Sequence, residues 1–149
     1  MKHQHAHIHS LIHSVAILEK RLESMLVPSG IRHRQALVLD ALQQIGSSSQ
    51  QHLAKHFSVS PGTMSSMISR LETLGFIKRE TSPTDRRTDV ISITPDGVTA
   101  IVDVADVWLE GDKIVADLLG PQKSKQLFAL TRELSKGLGG GPPQKEKSD

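Results

Sequence analysis

Cysteine is absent from this chain of 149 residues, which removes both a disulfide framework and a thiol redox switch. Long apolar runs are missing too. None reaches the ~20 residues needed to cross a bilayer, and no stretch has the make-up of a signal peptide. No membrane partner is therefore expected, and a reducing cytoplasm is the default location. The marks of catalysis are equally scarce: no Gly-rich phosphate loop, no cysteine nucleophile and no paired-carboxylate motif. An enzyme is not expected, and neither is a cofactor. Strong net charge is also lacking, at +2 overall, yet the sign is unevenly placed. Between Lys55 and Arg87 lie six bases (Lys55, Arg70, Lys78, Arg79, Arg86, Arg87) against three acids (Glu72, Glu80, Asp85). A local surplus of that size favours phosphate without indiscriminate stickiness.

What is present is best read from its punctuation. Gly46 and the serines that follow break one helix, and a serine there can cap the next, which should begin near Gln50. Leu53, Ala54 and Phe57 fall at helical spacing, and Ser58-Val59-Ser60 makes a turn with Val59 wedged between two crossing helices. Ser60 then caps a second helix with Pro61 at its first position, where a missing N–H costs nothing. Met64, Met67, Ile68 and Leu71 form the apolar side of that helix. Its other side, Thr63, Ser65, Ser66, Ser69 and Arg70, is mostly short donors and acceptors with no acid among them, so it can approach phosphates and base edges without repulsion. Gly75 stops the helix as a left-handed cap.

Two β-rich runs follow, Phe76 to Glu80 and Val90 to Thr94, joined by the polar loop Ser82-Pro83-Thr84-Asp85-Arg86-Arg87. Adjacent arginines on a hairpin tip suit a narrow, electronegative minor groove. Helix, turn, helix and basic hairpin in that order predict a winged helix, whose usual partner is double-stranded DNA.

The ordered set Leu53-Ala54, Val59-Ser60-Pro61-Gly62-Thr63, Arg70-Leu71-Glu72, Leu74-Gly75-Phe76-Ile77-Lys78-Arg79, Pro83, Asp85-Arg86-Arg87 and Ile93-Thr94-Pro95-Asp96-Gly97 resembles the MarR family of winged-helix transcriptional regulators. The likeness extends from about His5 to Leu138, with Gly30-Ile31 and Gln35-Ala36-Leu37-Val38-Leu39 similar to the start of the family's second helix. Arg32 departs from the pattern, standing where many members have a capping Thr or Ser. The resemblance implies DNA contacts from Ser60, Pro61, Gly62, Thr63, Ser65, Ser66, Ser69 and Arg70 on the recognition helix and from Asp85, Arg86 and Arg87 on the wing. It also implies that Arg87 enters the minor groove and that Asp85 orients it.

Outside this segment the helices look built for pairing. Ile8, Leu11, Ile12, Val15, Leu18, Leu22, Met25 and Leu26 recur at steps of three and four. Thr94 and Pro95 open another helix through Val98, Ile101, Val102, Ala105, Trp108 and Leu109, loosened around Gly111 and continuing past Ile114. Leu127, Phe128, Leu130, Leu134 and Leu138 line a last one. At 37% hydrophobic content one modest core is affordable, and so many apolar faces cannot all be covered within one copy. The expected fold is mostly α (α+β). A dimerisation helix at 5–30 precedes a winged helix-turn-helix domain at 31–97 with its wing at 76–94, then dimerisation helices at 98–138 and a disordered tail at 139–149. A homodimer presents two recognition helices to an inverted repeat with half-sites ~34 Å apart.

Histidine is the oddity. His3, His5, His7, His9 and His13 crowd one end, and His9 with His13 has the i, i+4 spacing of a shared zinc or copper ligand pair. Without Cys or a nearby acid to complete a tetrahedral set, a polar helix start is the simpler reading, and no metal is expected. The resemblance implies instead a small-molecule effector between the dimer helices and the winged helix. Candidates are His9, His13, Arg32, His33, Met67 and Trp108, with an anionic aromatic ligand suiting Arg32 and His33. A winged helix that binds only protein would tolerate acids on its open face and lose the arginine wing. This chain does neither.

Overall fold

The computed structural model describes residues 6–147. Six helices and a small sheet follow one another as α1 (His7–Leu26), α2 (His33–Ile45), β1 (Ser47–Ser49), α3 (Gln50–His56), α4 (Pro61–Thr73), β2 (Ile77–Thr81), β3 (Asp89–Ile93), α5 (Pro95–Leu119) and α6 (Pro121–Gly137), with a single 3-10 turn at Val27–Ser29. Local chemistry sets most boundaries. The side chains of Ser49, Ser60 and Thr94 each accept a hydrogen bond from a first-turn amide of α3, α4 and α5 respectively, satisfying donors that the helix leaves orphaned. Pro61, Pro95 and Pro121 stand just inside their helices, where the fixed φ helps and the absent N–H is not missed. Gly75, at φ +78°, turns the chain out of α4 into the hairpin.

The start of α2 is capped from elsewhere. Arg32 occupies the cap position, but its side chain has no acceptor to offer. Gln35 Oε1 accepts from the Arg32 amide at 3.1 Å, and Glu23 Oε1 on α1 accepts from the His33 amide at 2.9 Å. The missing Ser or Thr is thus replaced by a carboxylate from the preceding helix.

The sheet has the order β1-β3-β2, antiparallel throughout. In the hairpin Ile77 lies opposite Ile93 and Arg79 opposite Ile91, while Ser48 pairs with Ile91 from the other side. The serine run 47–49, read from sequence as a helix break, is therefore also an edge strand. Its own side chains carry no β signal; the free edge of β3 supplies the partner.

The core gathers Leu39 and Leu42 of α2, Leu53 of α3, Met64, Ile68 and Leu71 of α4, Ile91 of β3 and Val104 of α5, all essentially fully buried. Each such side chain contributes about 1.5–3 kcal/mol of transfer free energy, and together they fix α4 against the body so that its other face is held outward. The helix α5 runs unbroken through Gly111, where a loosening was expected. A Cβ there would press on Leu22 Cδ2 at 3.0 Å, so the glycine serves close packing of α1 on α5. Elsewhere the long helices leave apolar residues bare: Ile8, Ile12 and Val15 on α1, Leu118 on α5, Leu130 and Leu134 on α6.

The segment 139–147 differs from the expected disordered tail. It folds back to place Glu146 on Ser49 and Gln144 on His52. Residues 148–149 lie outside the described residues.

Candidate nucleic-acid interface

Along α4 the two faces separate as their chemistry dictates. Met64, Met67, Ile68 and Leu71 are buried, whereas Pro61, Gly62, Thr63, Ser66, Ser69 and Arg70 are exposed and Ser65 is half-buried. Ser60 Oγ accepts from the Thr63 amide at 3.1 Å and donates to Thr63 Oγ1 at 2.9 Å, which fixes the first turn. A Cβ on Gly62 would meet nothing within 4 Å, so the backbone there is open to close approach by a neighbour.

The wing is braced by its own polar groups. Ser82 donates its amide to Thr88 O at 2.9 Å, and Ser82 Oγ accepts from the amides of Thr84 and Asp85, each at 3.3 Å. Asp85 then accepts from the Arg87 amide at 2.9 Å through Oδ1 and from Thr88 Oγ1 at 3.0 Å through Oδ2. The carboxylate thus holds Arg87 by its backbone, leaving the guanidinium exposed.

Charge is sorted between the hairpin's base and its tip. Arg79 is paired with Glu72 at 3.5 Å and Asp89 at 4.0 Å, and Lys78 with Glu80 at 3.1 Å. Among the described residues no ion pair engages Lys55, Arg70, Arg86 or Arg87. Of the six bases between Lys55 and Arg87, those four remain available to phosphate.

The tip and the recognition helix frame a single recess of about 640 Å³, lined by Pro61 of α4, Arg87 of the wing, Ser49 at the end of β1, and Gln50, Gln51 and Lys55 of α3. Asp85 and Arg86 lie outside that recess. The contribution of α3 was missed in the sequence, although a polar Gln50-Gln51 start with an exposed Lys55 one turn on was there to be read.

The effector candidates do not converge. A second, mostly apolar cavity of about 380 Å³ lies among α1, α2, α5 and α6, walled by Leu18, Leu22, Leu37, Trp108, Ile114, Val115 and Phe128, with Arg21, His33, Asp40 and Asp112 also lining it. Of the six candidates His33 and Trp108 reach it. Met67 lines a smaller hollow of about 220 Å³ beside Leu37 and Phe57, while His9, His13 and Arg32 line neither. Burial lowers the His33 pKa, with Arg34 acting in the same direction and Glu19 and Glu23 opposing. Its Nδ1 is buried without a hydrogen-bond partner. His9 and His13 are exposed on α1, and the described residues contain no group of three or more His, Cys, Asp or Glu able to hold a metal; His3 and His5 lie outside them. No helix among the described residues is long and apolar enough to cross a membrane.

The helix α4, whose single acid Glu72 is tied to Arg79, beside a braced hairpin whose Arg86 and Arg87 make no ion pair among the described residues, defines the winged helix-turn-helix class. Residues 31–88 match the model of the MarR family. The multiple antibiotic resistance protein MarR of Salmonella typhimurium is 33% identical over 79 residues, covering 53% of this chain and 55% of that protein. The chain thus spans about half the length of the curated relatives it matches. A crystal structure of MarR superposes with a TM-score of 0.84 at 22% identity, covering 93% of this chain and 95% of that one. The transcriptional repressor CouR bound to a 23-mer DNA duplex does so at 0.81 and 18%, covering 87% and 92%. At those identities the two structures speak for the fold. Another relative, 31% identical over 86 residues, is described as a putative transcriptional regulatory protein for the hcr operon of Thauera aromatica.

Proposed function

We propose that the protein is a transcriptional repressor that binds an inverted-repeat operator as a homodimer and is released by a small-molecule effector. The observation that carries this is the recess between Pro61 and Arg87. A helix held by its buried side offers Thr63, Ser65, Ser66, Ser69 and Arg70 to the major groove. The wing sets Arg87 at the neighbouring minor groove, and Lys55, Arg70 and Arg86 answer phosphates. Pairing of two copies through the bare apolar faces of α1, α5 and α6 would cover surface that is otherwise costly to leave in water. It also sets two recognition helices about 34 Å apart.

The effector reading rests on the cavity lined by Trp108 and His33. Its aromatic and aliphatic walls suit a flat apolar molecule, with Arg21 and His33 as partners for a polar substituent. The cavity lies where α1, α2 and α5 meet, so a molecule that wedges these helices shifts the separation of the recognition helices. A differential of about 1–3 kcal/mol between the two dimer states suffices to release DNA.

Fluorescence anisotropy with duplexes from the region upstream of its own gene tests the proposal. Saturable binding is expected, weakening steeply with salt and outcompeting random duplex, with a footprint of two symmetric half-sites. Equal affinity for random and upstream duplex at physiological salt would rule out operator recognition, and a single unpaired half-site would rule out the dimer.

A further inference from the structure

The chain leaves α6 through a turn that only glycine allows. Gly139 has φ +86°, and the Gly140 amide donates to Ser135 O at 2.8 Å. A Cβ on Gly140 would sit 2.6 Å from Ser135 Oγ and 3.1 Å from Ser135 O. The turn sends Pro142-Pro143, a stiff extended pair, back toward the winged helix. Gln144 O then meets His52 Nε2 at 2.8 Å. Two residues on, the Glu146 carboxylate takes both donors of Ser49: the amide at 2.9 Å through Oε2 and the hydroxyl at 2.6 Å through Oε1. Ser49 Oγ at the same time accepts from the His52 amide at 3.2 Å, so strap and helix cap form one network. Burial pushes the Glu146 pKa up, but the Ser49 hydroxyl and amide bonds, with His52 and Lys55 nearby, hold it below the usual carboxylate range. Lys145 and Lys147 continue the strap along a groove shared with Thr84, Asp85 and Thr88 of the wing.

Ser49 belongs to two surfaces at once. It anchors the strap, and it lines the recess with Gln50, Lys55, Pro61 and Arg87. When a recognition helix enters the major groove, the first helix of the pair crosses the DNA backbone, and backbone amides and hydroxyls there serve phosphate oxygens. We propose that residues 139–147 are an intramolecular strap that competes with duplex DNA for this edge of the interface, the Glu146 carboxylate standing where a backbone phosphate oxygen would bind. The inference rests on the recess being the DNA-binding surface. Strap and duplex exclude each other because the Glu146 carboxylate and a phosphate oxygen would need the same Ser49 donors, so the DNA-binding form is the fraction of molecules whose strap is released. A strap docked nine-tenths of the time weakens apparent affinity about tenfold.

The test uses the full chain, the Glu146→Ala variant, and Glu133→Ala on α6 as a control with the same change of charge outside the strap. Two readouts are taken: anisotropy with a fluorescein-labelled duplex from upstream of its own gene, and amide hydrogen exchange at Ser49 without DNA. Glu146→Ala is expected to expose the Ser49 amide and to tighten duplex binding about three- to tenfold, while Glu133→Ala leaves Ser49 exchange unchanged and shifts affinity less than about twofold. Equal tightening by the two variants would reduce the effect to net charge and overturn the strap. So would a Ser49 amide that exchanges as in the parent chain. If Glu146→Ala exposes Ser49 but none of the three forms binds duplex, the DNA-binding reading fails and the competition falls with it, while the strap contact stands.

Discussion

Removing the wing carboxylate sets two physical effects against each other, and its sign decides what Asp85 does. Asp85→Ala takes a negative charge off a surface expected to face phosphates, which alone would tighten binding. Two unit charges ~8 Å apart in water interact by about 0.5 kcal/mol, and at physiological salt a Debye length of about 8 Å reduces this further. Against that gain, the substitution removes the acceptor of the Arg87 amide (2.9 Å) and of Thr88 Oγ1 (3.0 Å). Exposed hydrogen bonds contribute at the low end, about 0.5 kcal/mol each, and a tip released from them has to be ordered again on DNA, at about 1 kcal/mol per residue fixed. The bracing effect wins by about 1 kcal/mol, so affinity should fall roughly fivefold. Asp85→Asn keeps an acceptor for the Arg87 amide and should lie between the two, within about twofold of the parent. Anisotropy at low and physiological salt reads the difference, with thermal unfolding as a check that the fold is intact. Tighter binding by Asp85→Ala at both salts would show the carboxylate to be merely a repulsive charge.

Three further outcomes follow from other parts of the molecule. Gly97 lies where the hairpin meets α5, and a Cβ there would run into the Phe76 carbonyl and Ile93 Cγ1, so Gly97→Ala should destabilise by about 1–3 kcal/mol despite the better helix propensity of Ala; a raised midpoint in urea would refute this. His33 and His56 both have pKa values lowered from 6.5, chiefly by burial. The unfolded chain therefore binds their protons first, and stability is complete above pH 6.5 and declines as pH falls through the lowered values. Urea unfolding at several pH values should show this slope, and a His33→Gln, His56→Gln double variant should flatten it; an unchanged slope would remove both histidines from the account. Trp108, the single tryptophan of the chain, lines the apolar cavity, so a molecule that releases DNA should change its emission with the same midpoint, whereas release without any change at Trp108 would place the effector elsewhere.

Much of this arrangement was legible because it is written in local chemistry. Ser60-Pro61, Thr94-Pro95 and Gly75 each satisfy or terminate a helix through their own atoms, so they fix boundaries without knowledge of the fold. Period alone separated Met64, Met67, Ile68 and Leu71 from the open face of α4. Features that depend on a distant partner were not legible. Glu23 caps α2 across ten residues, the serines of β1 become a strand only because β3 has a free edge, and Gly111 looks like a weak point until Leu22 is placed against it. Glu146 reaches Ser49 across 97 residues, and composition alone describes its segment as a solvated tail. The effector candidates suffered most. They were drawn from residue type and the resemblance, and only the packing of α1, α2, α5 and α6 selects His33 and Trp108 from among them.

Recognition of duplex DNA by the helix α4 and the Arg87 wing is tested most directly by the salt dependence of binding, parent chain against Arg87→Ala, on duplex from upstream of its own gene. Affinity should fall, and the slope of log affinity against log salt should shrink by about one for each wing withdrawn. Affinity and slope both indistinguishable from the parent would mean that the exposed guanidinium at the wing tip does not touch DNA.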